Sequence, residues 1–179
     1  MNTFALIFWA VLAAVVLVLV LAALRPDSFR IERSALLLAP PAQVAGLITD
    51  FRQWVQWSPW EKIDATMQRS YSGADSGVGA VYAWTGNGKA GAGRMEITDA
   101  NAHRIVIRID FFKPFAASNT VEFTLQARDD GTHLTWAMFG PSPFVSKLMG
   151  LVFNIDKMVG KDFEAGLANL QGAVRGATA

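Results

Sequence analysis

Residues 104–138, RIVIRIDFFKPFAASNTVEFTLQARDDGTHLTWAM, decide the fold, because three successive segments within them change face at every residue. In the first, Ile105, Ile107, Ile109 and Phe111 fall on one side, and Arg104, Val106, Arg108 and Asp110 on the other. Lys113-Pro114 breaks that segment, since proline cannot donate to a strand ladder. The second sets Val121, Phe123 and Leu125 against Glu122, Thr124 and Gln126. After the turn Asp129-Asp130-Gly131, the third points Leu134, Trp136 and Met138 inward. Strict alternation is the period of a strand with one covered and one solvated face. The three runs predict an antiparallel meander whose apolar face needs a cover.

The same period extends upstream. Residues 67–73 and 78–85 read as strands joined by a Gly73–Gly77 turn. Gly86-Asn87-Gly88-Lys89 is a hairpin signal leading into a strand at 91–99, and Asn101-Ala102 forms the next turn. Further back, residues 29–38 (FRIERSALLL) make a first strand, stopped by Ala39-Pro40-Pro41. Pro41 suits a first helical turn. Val44, Leu47, Ile48 and Phe51 follow at helical spacing, so residues 41–53 are expected to form a short amphipathic helix. Downstream of Gly140-Pro141 the period becomes helical again. Ser142-Pro143 signals a helix start, and Leu148, Val152, Ile155, Val159, Phe163, Leu167, Leu170 and Val174 form a stripe. Gly150, Gly160 and Gly166 lower helix propensity and predict a kink or a split. Only this element is long enough to cover the sheet. The expectation is an α+β domain, an antiparallel curved sheet around a long C-terminal helix, spanning residues 29–176.

Ahead of that domain lies an unbroken apolar run, residues 4–24, FALIFWAVLAAVVLVLVLAAL. As a helix it would be about 32 Å long, enough to cross a bilayer core. A cleavable signal peptide has a basic start, a shorter apolar core and a small-x-small cleavage site. Met1-Asn2-Thr3 carries no basic side chain, and Ala22-Ala23-Leu24 before Arg25-Pro26 is a poor cleavage site. The run therefore reads as a retained transmembrane anchor. Residues 25–28 form a linker that reaches at most about 13–14 Å. Arg25, Arg30 and Arg33 follow the span, which by the positive-inside tendency leans the globular domain to the cytoplasm, with the anchor in a membrane such as the bacterial inner membrane.

Composition narrows the function classes. Sixteen basic and fifteen acidic side chains nearly cancel and are interspersed, which argues against a nucleic-acid footprint. The chain has no cysteine, so disulfides, thiolate metal sites and cysteine nucleophiles are excluded.

The phrases IERSALLLAPPAQV, FRQWVQWSPWEKID, GVGAVYAWTGNGKAGAGRMEI and DFEAGLANL resemble one bacterial branch of the SRPBCC or START-like superfamily, often anchored at its N-terminus. The resemblance covers residues 29–174. It implies the helix-grip fold shared by START domains, the major birch-pollen allergen and polyketide cyclase/dehydrase-like proteins. It also implies a deep cavity between sheet and helix, commonly used for a lipid-like or aromatic ligand. The superfamily has no shared catalytic motif, so the resemblance carries no activity.

Residue by residue, no catalytic template is met. His103 and His133 sit beside turns with outward phase; a metal site would need them convergent with carboxylates, and they read instead as solvated histidines at loop edges. There is no Gly-x-Ser-x-Gly, and no helix opens after Gly86-Asn87-Gly88 or Gly91-Ala92-Gly93, so neither a hydrolase elbow nor a dinucleotide loop is supported. No cofactor is expected. Trp54, Trp57 and Trp60, spaced by three, either close the core or line a cavity mouth. Phe111, Phe123, Trp136, Met138 and Phe153 have inward phase. Glu61 follows the tryptophans. Arg94 and Glu96 share the face opposite Met95 and Ile97; if that phase were reversed, Arg94 would be a cavity cation for a carboxylate or phosphate. The expected ligand site is thus Trp57, Trp60, Phe111, Phe123, Trp136, Met138 and Phe153, with Glu61 and Arg94 as polar contacts. The leading expectation is a membrane-tethered binding domain for a small hydrophobic ligand. The alternatives are a cyclase/dehydrase-type enzyme on a polyketide-like substrate and a protein-interaction module.

Overall fold

The structure, a computed structural model, describes residues 2–176. Seven strands form one antiparallel sheet in the order β1-β7-β6-β5-β4-β3-β2. They are β1 (Ser28–Leu37), β2 (Gln68–Gly73), β3 (Ala80–Thr85), β4 (Ala92–Ala100), β5 (Arg104–Lys113), β6 (Ala117–Arg128) and β7 (Gly131–Pro141). Strands β2 to β7 are a meander, and β1 returns to pair the last of them, with Ser28 opposite Pro141 and Leu37 opposite Thr132. The expected period-two faces hold: Ile105, Ile107, Phe123, Leu125, Leu134 and Trp136 are all buried.

Because every neighbour is antiparallel, the connections fall at two ends. The proximal end, where β1 begins, gathers residues 63–67, 86–91 and 114–116 and the exit from β7. The distal end carries the turns at 74–79, 101–103 and 129–130.

Helix α2 (Pro41–Thr49) and the four-residue α3 (Trp54–Trp57), with 3-10 turns at Phe51–Gln53 and Pro59–Lys62, link β1 to β2. Asp50 starts the first of these turns by accepting from the Arg52 N–H at 2.9 Å, which splits the single helix expected over 41–53.

The C-terminal stripe is also split, into α4 (Phe144–Val152) and α5 (Ile155–Gly176). The break falls at Asn154, not at a glycine. Its side chain accepts the Lys157 N–H at 2.9 Å, the interaction that starts a helix. Gly160 and Gly166 lie inside α5 because neighbours occupy the space of a side chain. A Cβ at Gly160 would stand 2.0 Å from the Arg33 guanidinium, and one at Gly166 would stand 2.6 Å from the Trp136 ring. Phe163, Leu167, Leu170 and Val174 are buried on the sheet, whereas Ile155, expected in that grip, is exposed because it lies in the first turn after the break. Arg33 of β1 clamps this end of α5 through Glu164 at 2.8 Å and Asp156 at 3.1 Å. At the other end the Leu38 N–H donates to Gln171 at 3.0 Å.

Helix α1 (Thr3–Ala23) is long and apolar enough to cross a membrane. It stands clear of the domain along nearly its whole length; only Ala22, in its last turn, is buried. That last turn rests beside α4.

Candidate functional site

The sheet's inner face is filled at one end and hollow at the other. At the distal end Trp54 and Trp57 are pinned to α2, donating their indole N–H groups to the carbonyls of Ile48 (2.9 Å) and Leu47 (3.0 Å). Their rings pack edge-on against Phe123, each at a centroid distance of 6.3 Å. At the proximal end the same face opens into a cavity of about 320 Å³. Met95, Ile109, Phe111, Val121 and Met138 line it from β4 to β7. Val159 and Phe163 close it from α5, Trp60 and Met67 from the segment before β2, and Lys89, Gly91, Lys113 and Pro114 form its mouth.

The aromatic wall is closely packed. Trp136 stacks on Phe163 at 4.2 Å with only 7° between the planes, and Trp60 meets both rings edge-on at 5.6 and 6.0 Å. Trp60 also donates to Asp162, whose carboxyl burial holds above its ordinary range despite that hydrogen bond. Trp136 Nε1 is buried without a hydrogen-bond partner, an uncompensated desolvation cost within the wall.

The polar part of the wall is one buried cluster. Glu61 accepts from Arg69 Nε and from the Tyr82 hydroxyl, each at 2.6 Å. Arg69 also donates to the Glu61 carbonyl at 2.8 Å. Burial, and then the hydrogen bond to Glu61, push the Tyr82 hydroxyl far above the usual phenol range, so it stays protonated and serves as a donor, not a base. Both Glu61 oxygens are engaged by donors, so the carboxylate is charge-compensated by Arg69.

Asp64 secures the mouth. Its carboxylate accepts from the Asn87 N–H (2.7 Å), the Thr66 N–H (2.9 Å) and the Thr66 hydroxyl (2.7 Å). These hydrogen bonds, the Asn87 one foremost, hold Asp64 below the usual carboxylate range. The latch draws residues 86–91 toward the segment before β2, which is why the expected tight hairpin is a wider loop. Asn87 Oδ1 accepts from Lys89 and Ala90, and the positive φ of 63° falls at Gly91.

Of the expected site, Trp60, Phe111, Trp136, Met138 and Glu61 line the cavity. Trp57 and Phe123 lie behind it in the filled core, at 1% and 0% exposure. Phe153 is half exposed, because the helix break turns it out of the stripe. Arg94 is on the outer face, bonded to Glu96 at 2.8 Å, while Met95 and Ile97 are inward, so the reversed phase does not occur. His103 lies at the distal end, and His133 pairs across the strands with Leu36 and Gln126 near that end. Sequence reading missed Tyr82, Trp84 and Asp64. The alternation Ala80, Tyr82, Trp84 carried the signal for the first two; nothing marked Asp64. Among the described residues no three His, Cys, Asp or Glu side chains are grouped to hold a metal ion.

Residues 28–175 match the sequence profile of a family described as polyketide cyclase / dehydrase and lipid transport. No curated protein matches the chain. Among solved structures, protein SA2116 from Staphylococcus aureus, of unknown function, has a TM-score of 0.61 at 14% identity, covering 85% of this chain and 96% of its own. Protein CV1439 from Chromobacterium violaceum gives 0.57 at 16% identity, covering 84% and 98%. Ara h 8.0201 gives 0.56 at 14% identity, covering 83% and 99%. At these identities the likeness is one of fold, the helix-grip arrangement of curved sheet and long C-terminal helix.

Proposed function

Because the chain belongs to the polyketide cyclase / dehydrase and lipid transport family, we propose that it is a membrane-tethered binding domain that holds one small hydrophobic molecule, lipid-like or aromatic, between the sheet and α5. The cavity carries this reading. Its volume, about 320 Å³, is at the lower bound of small-molecule sites. Its walls are Met95, Ile109, Phe111, Val121 and Met138, and its polar groups are few and fixed. The Tyr82 hydroxyl, whose one hydrogen is given to Glu61, keeps an oxygen lone pair that a ligand's single polar donor would meet. In this reading α1 is a retained span, and the domain sits on its cytoplasmic side.

The test uses the full chain in detergent and cis-parinaric acid, a fluorescent fatty acid, as probe. Saturable one-to-one binding should quench emission from Trp60 and Trp136 and raise the melting temperature, because a ligand specific for the folded state stabilises it by about 2.7 kcal/mol at a hundred times its Kd. Met138→Trp, which fills the cavity, should abolish binding. Binding unchanged in that variant would place the probe elsewhere and remove the proposal.

A cyclase-type enzyme is the second reading, favoured by the Glu61–Tyr82 pair in the wall, a carboxylate and a phenol 2.6 Å apart beside an apolar chamber. Conversion of a bound polyketide-like compound that is lost in Glu61→Gln, with binding retained, would promote it.

A further inference from the structure

We infer that the proximal end of the domain is a membrane-docking surface, so that the cavity mouth opens into the headgroup–acyl boundary of the bilayer that holds α1. The inference rests on the reading of α1 as a span, and adds a second contact with the same membrane.

The first observation is the orientation of α4. Val145, Met149 and Val152 recur at i, i+4 and i+7, which places them on one face of a helix. That face is solvent-exposed, with Val152 at 78%, while Lys147 on the opposite face is 8% exposed and pairs with the exposed carboxylate of Asp27. A surface helix of a water-soluble domain has the opposite arrangement, apolar face in and charge out. An outward apolar stripe over an inward lysine fits an apolar medium outside.

The second observation is where this stripe stands. The last turn of α1 rests beside α4, Arg25 lies against Gly150, and β1 starts at Ser28. Residues 25–27 can extend only about 10 Å, so α4 is held at the level where the span leaves the bilayer. The third is that the antiparallel topology brings other exposed apolar residues to this end: Phe115, at 73%, on the β5–β6 loop, Phe153 after α4, and Met158 in the first turns of α5. The distal turns carry Asp75, Asn101, Asp129 and Asp130, with Val78 as their exposed apolar side chain. Finally, the mouth residues Lys89 and Lys113 make no side-chain hydrogen bond or ion pair among the described residues, and two free ammonium groups beside an apolar rim suit anionic headgroups. Together these place the mouth against lipid, where an apolar molecule enters without crossing water.

The absence of cysteine allows single labels. Val152→Cys, Phe115→Cys and, at the distal end, Asp129→Cys would each carry an environment-sensitive fluorophore in the full chain. The proteins would be reconstituted in vesicles of phosphatidylcholine and phosphatidylglycerol. Labels at 152 and 115 should emit to the blue of the label at 129. They should be quenched several-fold more by nitroxide-bearing lipid, and correspondingly less by iodide. Release of the chain by alkaline carbonate would defeat the anchor and this inference together. A chain that stays embedded while labels 115 and 152 are as open to iodide as 129 would leave the anchor standing and overturn the docking. Labels shielded from both quenchers, with energy transfer between chains, would assign the surface to a second copy and overturn it equally.

Discussion

The two halves of the sheet's inner face are built from the same strands and the same residue types, yet one is solid and the other hollow. In β5 and β6 the distal half offers Ile105, Ile107, Phe123 and Leu125, and the proximal half offers Ile109, Phe111 and Val121. What differs is the cover. Over the distal half lie α2, the Trp54 and Trp57 rings, and Leu167, Leu170 and Val174 of α5. Over the proximal half α5 presents Val159 and Phe163, and its Gly160 position is occupied by the Arg33 guanidinium. Alternation assigns a side chain to a face. Whether that face is packed or open depends on the volume set against it from elsewhere in the chain.

The sharpest way to break this comparison is to delete the same atoms in each half. Phe123 is fully buried among three tryptophan rings, so Phe123→Ala should cost about 3–5 kcal/mol. Phe111 already borders empty space, so Phe111→Ala loses fewer contacts and enlarges an existing void; it should cost less than about 1.5 kcal/mol, within the range of ordinary substitutions. Binding should show the reverse order, with cis-parinaric acid weakened by Phe111→Ala. Urea unfolding of both variants in detergent gives the stability half of the test. Equal losses would mean that the proximal half is packed as tightly as the distal half.

This contrast also explains what the sequence made legible. The strands, their faces, the covering helix and the apolar segment at 4–24 follow from local periodicity, and the structure agrees with each. Membership of the cavity does not follow from it. Trp57 and Phe123 have the inward phase of Trp136, but the cover over the distal half buries them. Phe153 belongs to the stripe by spacing, but Asn154 starts a new helix and turns it out. Tyr82 and Glu61 meet across 21 positions of sequence, and Asp64 reaches Asn87 across 23. Such pairings depend on which loops the sheet brings to one end, and no local pattern records that.

A smaller effect is expected at the mouth, where the Asp64 carboxylate ties loop 86–91 to the segment before β2 through the Asn87 N–H. Its folded-state pKa is depressed by donors from Asn87 and Thr66. The resulting stability is therefore complete above the ordinary aspartate value of about 3.9 and is lost as pH falls through the lower folded value. Asp64→Asn should lower stability at neutral pH and flatten the acid limb below about pH 4 relative to the parent chain. It should also speed release of the probe, because the loop carries Lys89 and Gly91 of the mouth. Parallel acid limbs for the two proteins in pH-dependent thermal melts would show that the latch does not hold in solution.

The smallest effect belongs to Arg94, which tests the face assignment itself. Arg94 sits on the outer face of β4, one-third exposed, in a chain of charges with Glu96 and Arg108. Surface ion pairs of this kind contribute about 0–1 kcal/mol, since solvent screens them and ordering the side chains opposes them. Removing Arg94 leaves Glu96 still paired with Arg108 at 2.8 Å, so no buried charge is stranded. Arg94→Ala should therefore change stability by no more than about 0.5 kcal/mol and leave the Kd for cis-parinaric acid unaltered. The same should hold for a probe of opposite polarity, a fatty amine, since no cation would have been removed from the cavity. A Kd that rises several-fold for the fatty acid but not for the amine would mean that the Arg94 guanidinium reaches the ligand from the inner face. The division between a wet outer face and a dry inner one would then be wrong at β4, the strand whose Met95 and Ile97 now define it.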